Sequence, residues 1–120
     1  MHTTLSPYLF FNGTCAEAMA FYKSIFGGEL SLSTFGDSPM GAEMPEEQKK
    51  RIIHASLSSG AISFMASDDM PDHSVTQGDN VSLSLNGSNA DELTGHFNKL
   101  ADGGSIKTPL EKQFWGDTFG

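Results

Sequence analysis

Two stretches of this chain repeat one another at one constant spacing, and that repeat restricts the fold more than any other feature. Phe21-Tyr22-Lys23, Gly27-Gly28 and Leu30 return as Phe97-Asn98-Lys99, Gly103-Gly104 and Ile106, each pair at the same offset. At that offset Leu85 falls on Leu9. In the first copy, Tyr8 to Phe11 are four consecutive apolar or aromatic residues, as in a buried strand. Asn12-Gly13 breaks the run. Thr14 then reads as a helix N-cap, with Glu17 three residues on to complete a capping box. Ala18, Phe21, Tyr22, Ile25 and Phe26 recur at helical spacing as one apolar stripe, and Gly27-Gly28 supplies the left-handed stop.

The second copy opens with a strand over Asn80 to Leu85, where Val81, Leu83 and Leu85 alternate with Asn80, Ser82 and Ser84. A helix follows from about Asn89 to Ala101. Ser88 or Asn89 caps it, with Asp91 or Glu92 three residues later, and Leu93, Phe97 and Leu100 form its stripe. Ser105 to Lys112 reads as a strand, and Phe114 to Gly120 starts another segment. Two copies of one supersecondary unit are expected.

Between the copies, Glu29 to Phe35 alternates like a half-buried strand. Gly36 to Lys50 is a loop with a helical turn from Pro45. Arg51 to Ser58 is a strand with Ile53, Ala55 and Leu57 on one face and Ile52, His54, Ser56 and Ser58 on the other. Ser59-Gly60 turns the chain into a strand over Ala61 to Ser67. Asp68 to Asp79 is a polar linker. The first unit, residues 1–74, is therefore βαβββ. The second, residues 75–120, has no counterpart of the 51–67 hairpin, so it is expected to be truncated at its C-terminus or completed by a partner chain.

Composition narrows the function. A chain of 120 residues makes one domain. Seven Lys and Arg against fifteen Asp and Glu give a net charge of −8, which argues against nucleic-acid and anionic-membrane surfaces. A single cysteine excludes an internal disulfide. No stretch approaches the roughly 20 apolar residues of a membrane span. MHTTLSPY lacks a basic region followed by an apolar run, so a cytoplasmic protein is expected. There is no GxGxxG or P-loop to signal a nucleotide fold.

Taken together, FFNGTCAEAMAFYKSIFGG, His54-Ala55-x-Leu57, the SDDMP loop and the terminal FWGDTFG resemble the PhnB-like branch of the vicinal-oxygen-chelate superfamily. That superfamily includes glyoxalase I, bleomycin-resistance proteins and extradiol dioxygenases. The resemblance implies an α+β fold in which tandem βαβββ units form a curled mixed sheet around a concave pocket. It also implies a divalent metal held by four side chains on the first, fourth, fifth and eighth strands. Matched by position, those ligands fall on Pro7, about Phe64 and Asn80, with the eighth strand missing. Pro and Phe cannot ligate a metal and Asn is a weak oxygen donor, so no metal ligand is assigned, although a divalent ion is what the resemblance would supply. Some PhnB-like sequences carry a methyltransferase label, but the glycine-rich strand–helix turn of a methyl-donor site is not present.

The candidate pocket residues are His54, Ser56, Phe64, Asn80, Ser82 and Trp115. His54 interrupts an otherwise apolar strand and shares a face with Ser56 and Ser58. The alternative is a pocket-facing or inter-strand hydrogen-bonding histidine without a catalytic role. Asn80, Ser82 and Ser84 line a pocket or form the wet face of a strand. Trp115, beside Phe114, is a pocket wall, a dimer contact or core filling. Cys15 lies in the first helical turn, where the dipole lowers a thiol pKa, but it has no adjacent His or Asp, and a packed cysteine is the alternative. Asp68, Asp69, Asp72 and His73 have metal-like chemistry in irregular spacing, or form a solvated turn.

The resulting expectation is a small-molecule-binding protein of this fold. A metal-dependent glyoxalase- or dioxygenase-type enzyme and an antibiotic-sequestering protein are the alternatives. An unpaired sheet edge is an aggregation hazard unless another chain covers it. A homodimer with Asn80 to Leu85 and Phe114 to Gly120 near the contact is therefore expected.

Overall fold

In the computed structural model, which describes every residue except Met1, His2 and Pro71, the chain divides into two units at Gln77–Gly78. The first contains β1 (Tyr8–Phe11), α1 (Cys15–Phe26), β2 (Glu29–Thr34), a single helical turn α2 (Glu46–Lys49), β3 (Ile52–Ser59) and β4 (Ile62–Asp68). Two 3-10 turns, Phe35–Asp37 and Gly41–Glu43, occupy the loop between β2 and α2. The strand order is β1-β4-β3-β2. The β1–β4 pair is parallel and the others antiparallel, which makes the sheet mixed. This is the βαβββ order expected from the sequence.

Register sorts the strand residues between two faces. Leu9, Ala66, Ala55 and Leu32 form one row across all four strands. With Leu57 and Phe64 they build the face that α1 covers. Buried Cys15 and Met19 join Ala55, Leu57, Phe64 and Ala66 in one core cluster, with Tyr22 and Phe26 packed against it. The helix therefore buries a stripe through Cys15, Met19, Tyr22 and Phe26, at spacings of four, three and four. That stripe is rotated from the expected one, since Cys15 and Met19 carry its centre. Full burial of a side chain such as Leu57 or Met19 stabilises by about 2 kcal/mol.

Ile52 departs from its expected place on the face of His54, Ser56 and Ser58. It is 2% exposed and belongs to the core. The reason is a register shift: Ser33 pairs with His54 but Thr34 pairs with Ile52, leaving Ile53 as the extra residue of a bulge. One inserted residue reverses which face the next side chain enters.

The start of α1 also differs from expectation. Thr14 makes no side-chain capping bond. Asp68, at the end of β4, takes that role from 53 residues away in sequence. Its Oδ1 accepts from Gly13 N–H at 2.9 Å and Cys15 N–H at 3.0 Å, and its Oδ2 accepts from Ile52 N–H at 2.9 Å. The carboxylate is only 4% exposed. It is not part of a solvated linker; it ties helix, sheet and bulge together. Oriented backbone donors compensate the cost of burying its charge.

The second unit holds α3 (Ala90–Ala101) and a short antiparallel hairpin of β5 (Glu111–Lys112) and β6 (Thr118–Phe119). Asn89 caps α3 by accepting from Glu92 N–H at 3.0 Å. Leu93, Phe97 and Leu100 are half-buried. The expected strand over Asn80 to Leu85 is not one, and the expected strand from Ser105 survives only at Glu111–Lys112. Val81, Leu83 and Leu85 have the alternation of a strand but no ladder partner among the described residues, and they are 82%, 62% and 42% exposed. A strand is defined by its neighbour, and alternation alone does not supply one.

Candidate functional site

The face of the four-stranded sheet away from α1 displays the candidate groups. Tyr8, Met65, Ser56 and Ser31 form a row across it, set by the register of all three strand pairs. His54 lies one pleat from Ser56, and its ring sits 6.1 Å from that of Tyr8. Tyr8 in turn lies 5.1 Å from Phe10. Tyr8 and Phe10 are 40% and 55% exposed. The site is thus a strip of aromatic rings bordered by serine hydroxyls and one imidazole, a surface suited to a flat, partly polar molecule.

The structure brings together two of the residues singled out from sequence, His54 and Ser56. Phe64 lies on the opposite face, 8% exposed, with its ring edge-on to Tyr22 at 5.5 Å. It is core, because its register partner Leu57 points toward α1. Asn80 and Ser82 are exposed residues of the second unit. Trp115 packs edge-on with Phe114 at 5.0 Å and lies 6.4 Å from Phe119, around the β5–β6 hairpin. Tyr8, Phe10 and Met65 were missed. The alternation of Tyr8 and Phe10 with Leu9 and Phe11 was available as a signal, but four apolar residues in a row read as wholly buried.

Beyond Phe10 the strip continues into a shallow groove of about 450 Å³ bounded by the loop after β4. There Asp69 Oδ2 bonds His73 Nδ1. That hydrogen bond, chiefly, holds the Asp69 carboxyl below the ordinary carboxylate range. Pro71, in the SDDMP motif, lies outside the described residues.

Cys15 is not an activated thiol. It has no exposed surface, and burial, followed by the nearby Asp68 charge, pushes it up to about 12. A packed cysteine is what the geometry gives.

The positions at which a metal is implied do not fit one. Phe64 is in the core, and Pro7 contributes only its carbonyl, which accepts from Met65 N–H at 3.0 Å. Among the described residues no three His, Cys, Asp or Glu side chains are grouped so as to hold an ion.

Comparison with known proteins agrees with this architecture. Residues 4–120 match the Glyoxalase/Bleomycin resistance protein/Dioxygenase superfamily. Protein YjdN of Escherichia coli (strain K12) is 31% identical over 97% of this chain and 84% of its own. The crystal structure of protein PA1353 from Pseudomonas aeruginosa is 40% identical, with a TM-score of 0.86 over 99% of this chain and 87% of that one. A PhnB protein from Bacillus cereus is 27% identical, with a TM-score of 0.75 over 98% of this chain and 88% of its own. On its sequence, its mixed sheet and these relatives, the chain belongs to the glyoxalase/bleomycin resistance protein/dioxygenase superfamily, with PhnB-like relatives.

Proposed function

We propose that this chain is a small-molecule-binding protein that holds its ligand on the helix-free face of the first unit's sheet. The observation that carries the reading is the strip of exposed rings, Phe10, Tyr8 and His54, beside Ser56 and Met65. An aromatic patch rimmed by hydroxyls gains free energy by shedding water against a flat ligand, while the polar rim orients it. In this reading His54 contributes a hydrogen bond to the ligand. The protein works without a resident metal and acts as a cytoplasmic homodimer.

A ligand screen on the purified chain, followed by titration of His54→Ala, tests the site. Affinity is expected to fall about ten-fold, the scale of one hydrogen bond, with stability changed by less than about 0.5 kcal/mol. Unchanged affinity with a loss of several kcal/mol in stability would make His54 structural instead. Elemental analysis is expected to find no stoichiometric transition metal. An equivalent per chain would favour a metal-assisted enzyme, whereas tight stoichiometric binding without turnover would favour sequestration. Light scattering tests the dimer, and a stable monomer at micromolar concentration would overturn it.

A further inference from the structure

We propose that the groove beyond Phe10 anchors the polar edge of the ligand, and that this edge is a ring N–H beside a carbonyl, as in a lactam or cyclic imide. The inference rests on the reading that the sheet face binds small molecules, and it names the ligand class. Six residues line the groove: Phe10, Asp69, His73, Ser74, Val75 and Thr76. Phe10 is shared with the aromatic strip through its contact with Tyr8, so the groove and the strip are continuous.

The groups in the groove divide by hydrogen-bonding role. Asp69 is held in place at several points. Its N–H donates to Phe11 O at 2.8 Å, its carbonyl accepts from Arg51 Nη1 at 2.9 Å, and its Oδ1 accepts from Met70 N–H at 2.8 Å. Its remaining oxygen bonds His73 Nδ1. In the tautomer that donates Nδ1–H to the Asp69 carboxylate, Nε2 is the acceptor nitrogen turned to a ligand. Ser74 and Thr76 bring hydroxyls that can donate. Val75 separates them, and its own N–H is already taken by Asn12 Oδ1 at 2.9 Å.

Three ligand types can be compared against this set. An anion meets the Asp69 charge and a chain of net charge −8. An aliphatic molecule leaves the imidazole and both hydroxyls without partners they had in water. A planar ring with an N–H next to a carbonyl matches all three elements. Its face lies on Phe10, its N–H donates to His73 Nε2, and its carbonyl accepts from Ser74 or Thr76. No bond other than hydrogen bonds is made or broken.

The test is a fluorine NMR titration of the full chain with 5-fluorouracil and, separately, with its N,N′-dimethyl derivative, which has no ring N–H. The parent probe is expected to bind and the dimethyl probe to bind at least about ten-fold more weakly. His73→Phe, which keeps a planar ring and removes the acceptor, is expected to weaken the parent probe by a similar factor. Phe10→Ala should weaken it about five-fold, with circular dichroism confirming that each variant is folded. Equal affinity of the two probes, or an unchanged affinity in His73→Phe, overturns the anchor. Binding that survives His73→Phe but is lost in Tyr8→Ala overturns the anchor while leaving the sheet face as the binding surface. No binding of the parent probe overturns the anchor alone, because the broad ligand screen tests the face separately.

Discussion

The two long helices are copies of one sequence pattern, yet their ends are secured by different means. α1 begins under a buried carboxylate delivered by the far end of β4, with Gly13 and Cys15 N–H both donating to Asp68. α3 begins on its own preceding residue, Asn89, in the ordinary local way. The exits differ as well. Gly27 and Gly103 both take positive φ, 71° and 79°, with open space around them. Gly28 also has positive φ, and a side chain there would collide with the Ser58 carbonyl, whereas Gly104 would meet only its own helix at ordinary contact distance. The start of α1 takes its cap from a tertiary neighbour, whereas the start of α3 keeps the local cap that isolated helices use.

The largest expected effect comes from removing the clamp. Asp68→Ala leaves three backbone N–H groups, two of them buried, without their acceptor and should cost about 4 kcal/mol, read by urea denaturation. Asp68→Asn keeps the shape and one acceptor oxygen and should cost about half as much. A loss below about 1 kcal/mol for Asp68→Ala would mean that the carboxylate does not clamp the start of α1.

Next come the matched glycines. Gly28→Ala combines strained backbone with a backbone clash and should destabilise by about 3 kcal/mol. Gly104→Ala should stay within about 1 kcal/mol of wild type. Equal losses at the two positions would erase the difference between the helix exits. Smaller again is Asn89→Ala, expected to weaken α3 by about 1 kcal/mol, seen as faster hydrogen exchange confined to its first turn.

The last effect, absent near neutral pH, is a pH dependence in the first unit. Cys15 holds its proton in the folded chain up to about 12, against 9.0 when unfolded. The folded state therefore binds more protons than the unfolded one between those values. The thiol's contribution to stability is intact below 9 and lost as pH rises through that window. Iodoacetamide should leave Cys15 untouched in the native protein near pH 8 and alkylate it on unfolding. Rapid native alkylation would show that the α1 clamp opens readily.

Much of this was legible in the residues. The strand–helix–strand of Tyr8 to Leu30, the 52–68 hairpin and the Asn89 cap are set by short-range rules: hydrophobic period, turn glycines and a polar residue before an apolar run. So was the family, through the resemblance of the FFNGTCAEAMAFYKSIFGG, His54-Ala55-x-Leu57 and FWGDTFG stretches to it. Three further features needed the folded chain. Ile52 entered the core because one residue bulged against β2. Asp68 became a helix cap because β4 ends beside the start of α1, a proximity that no local pattern encodes. Tyr8 and Phe10, read as buried, became a candidate binding surface because parallel pairing of β1 with β4 put them on the face that α1 does not cover. Residues close in sequence declare their preferences through their own backbone and side-chain chemistry. Which of them share a face, a bulge or a buried charge depends on register between distant strands, and register is decided only when the whole sheet closes on its core.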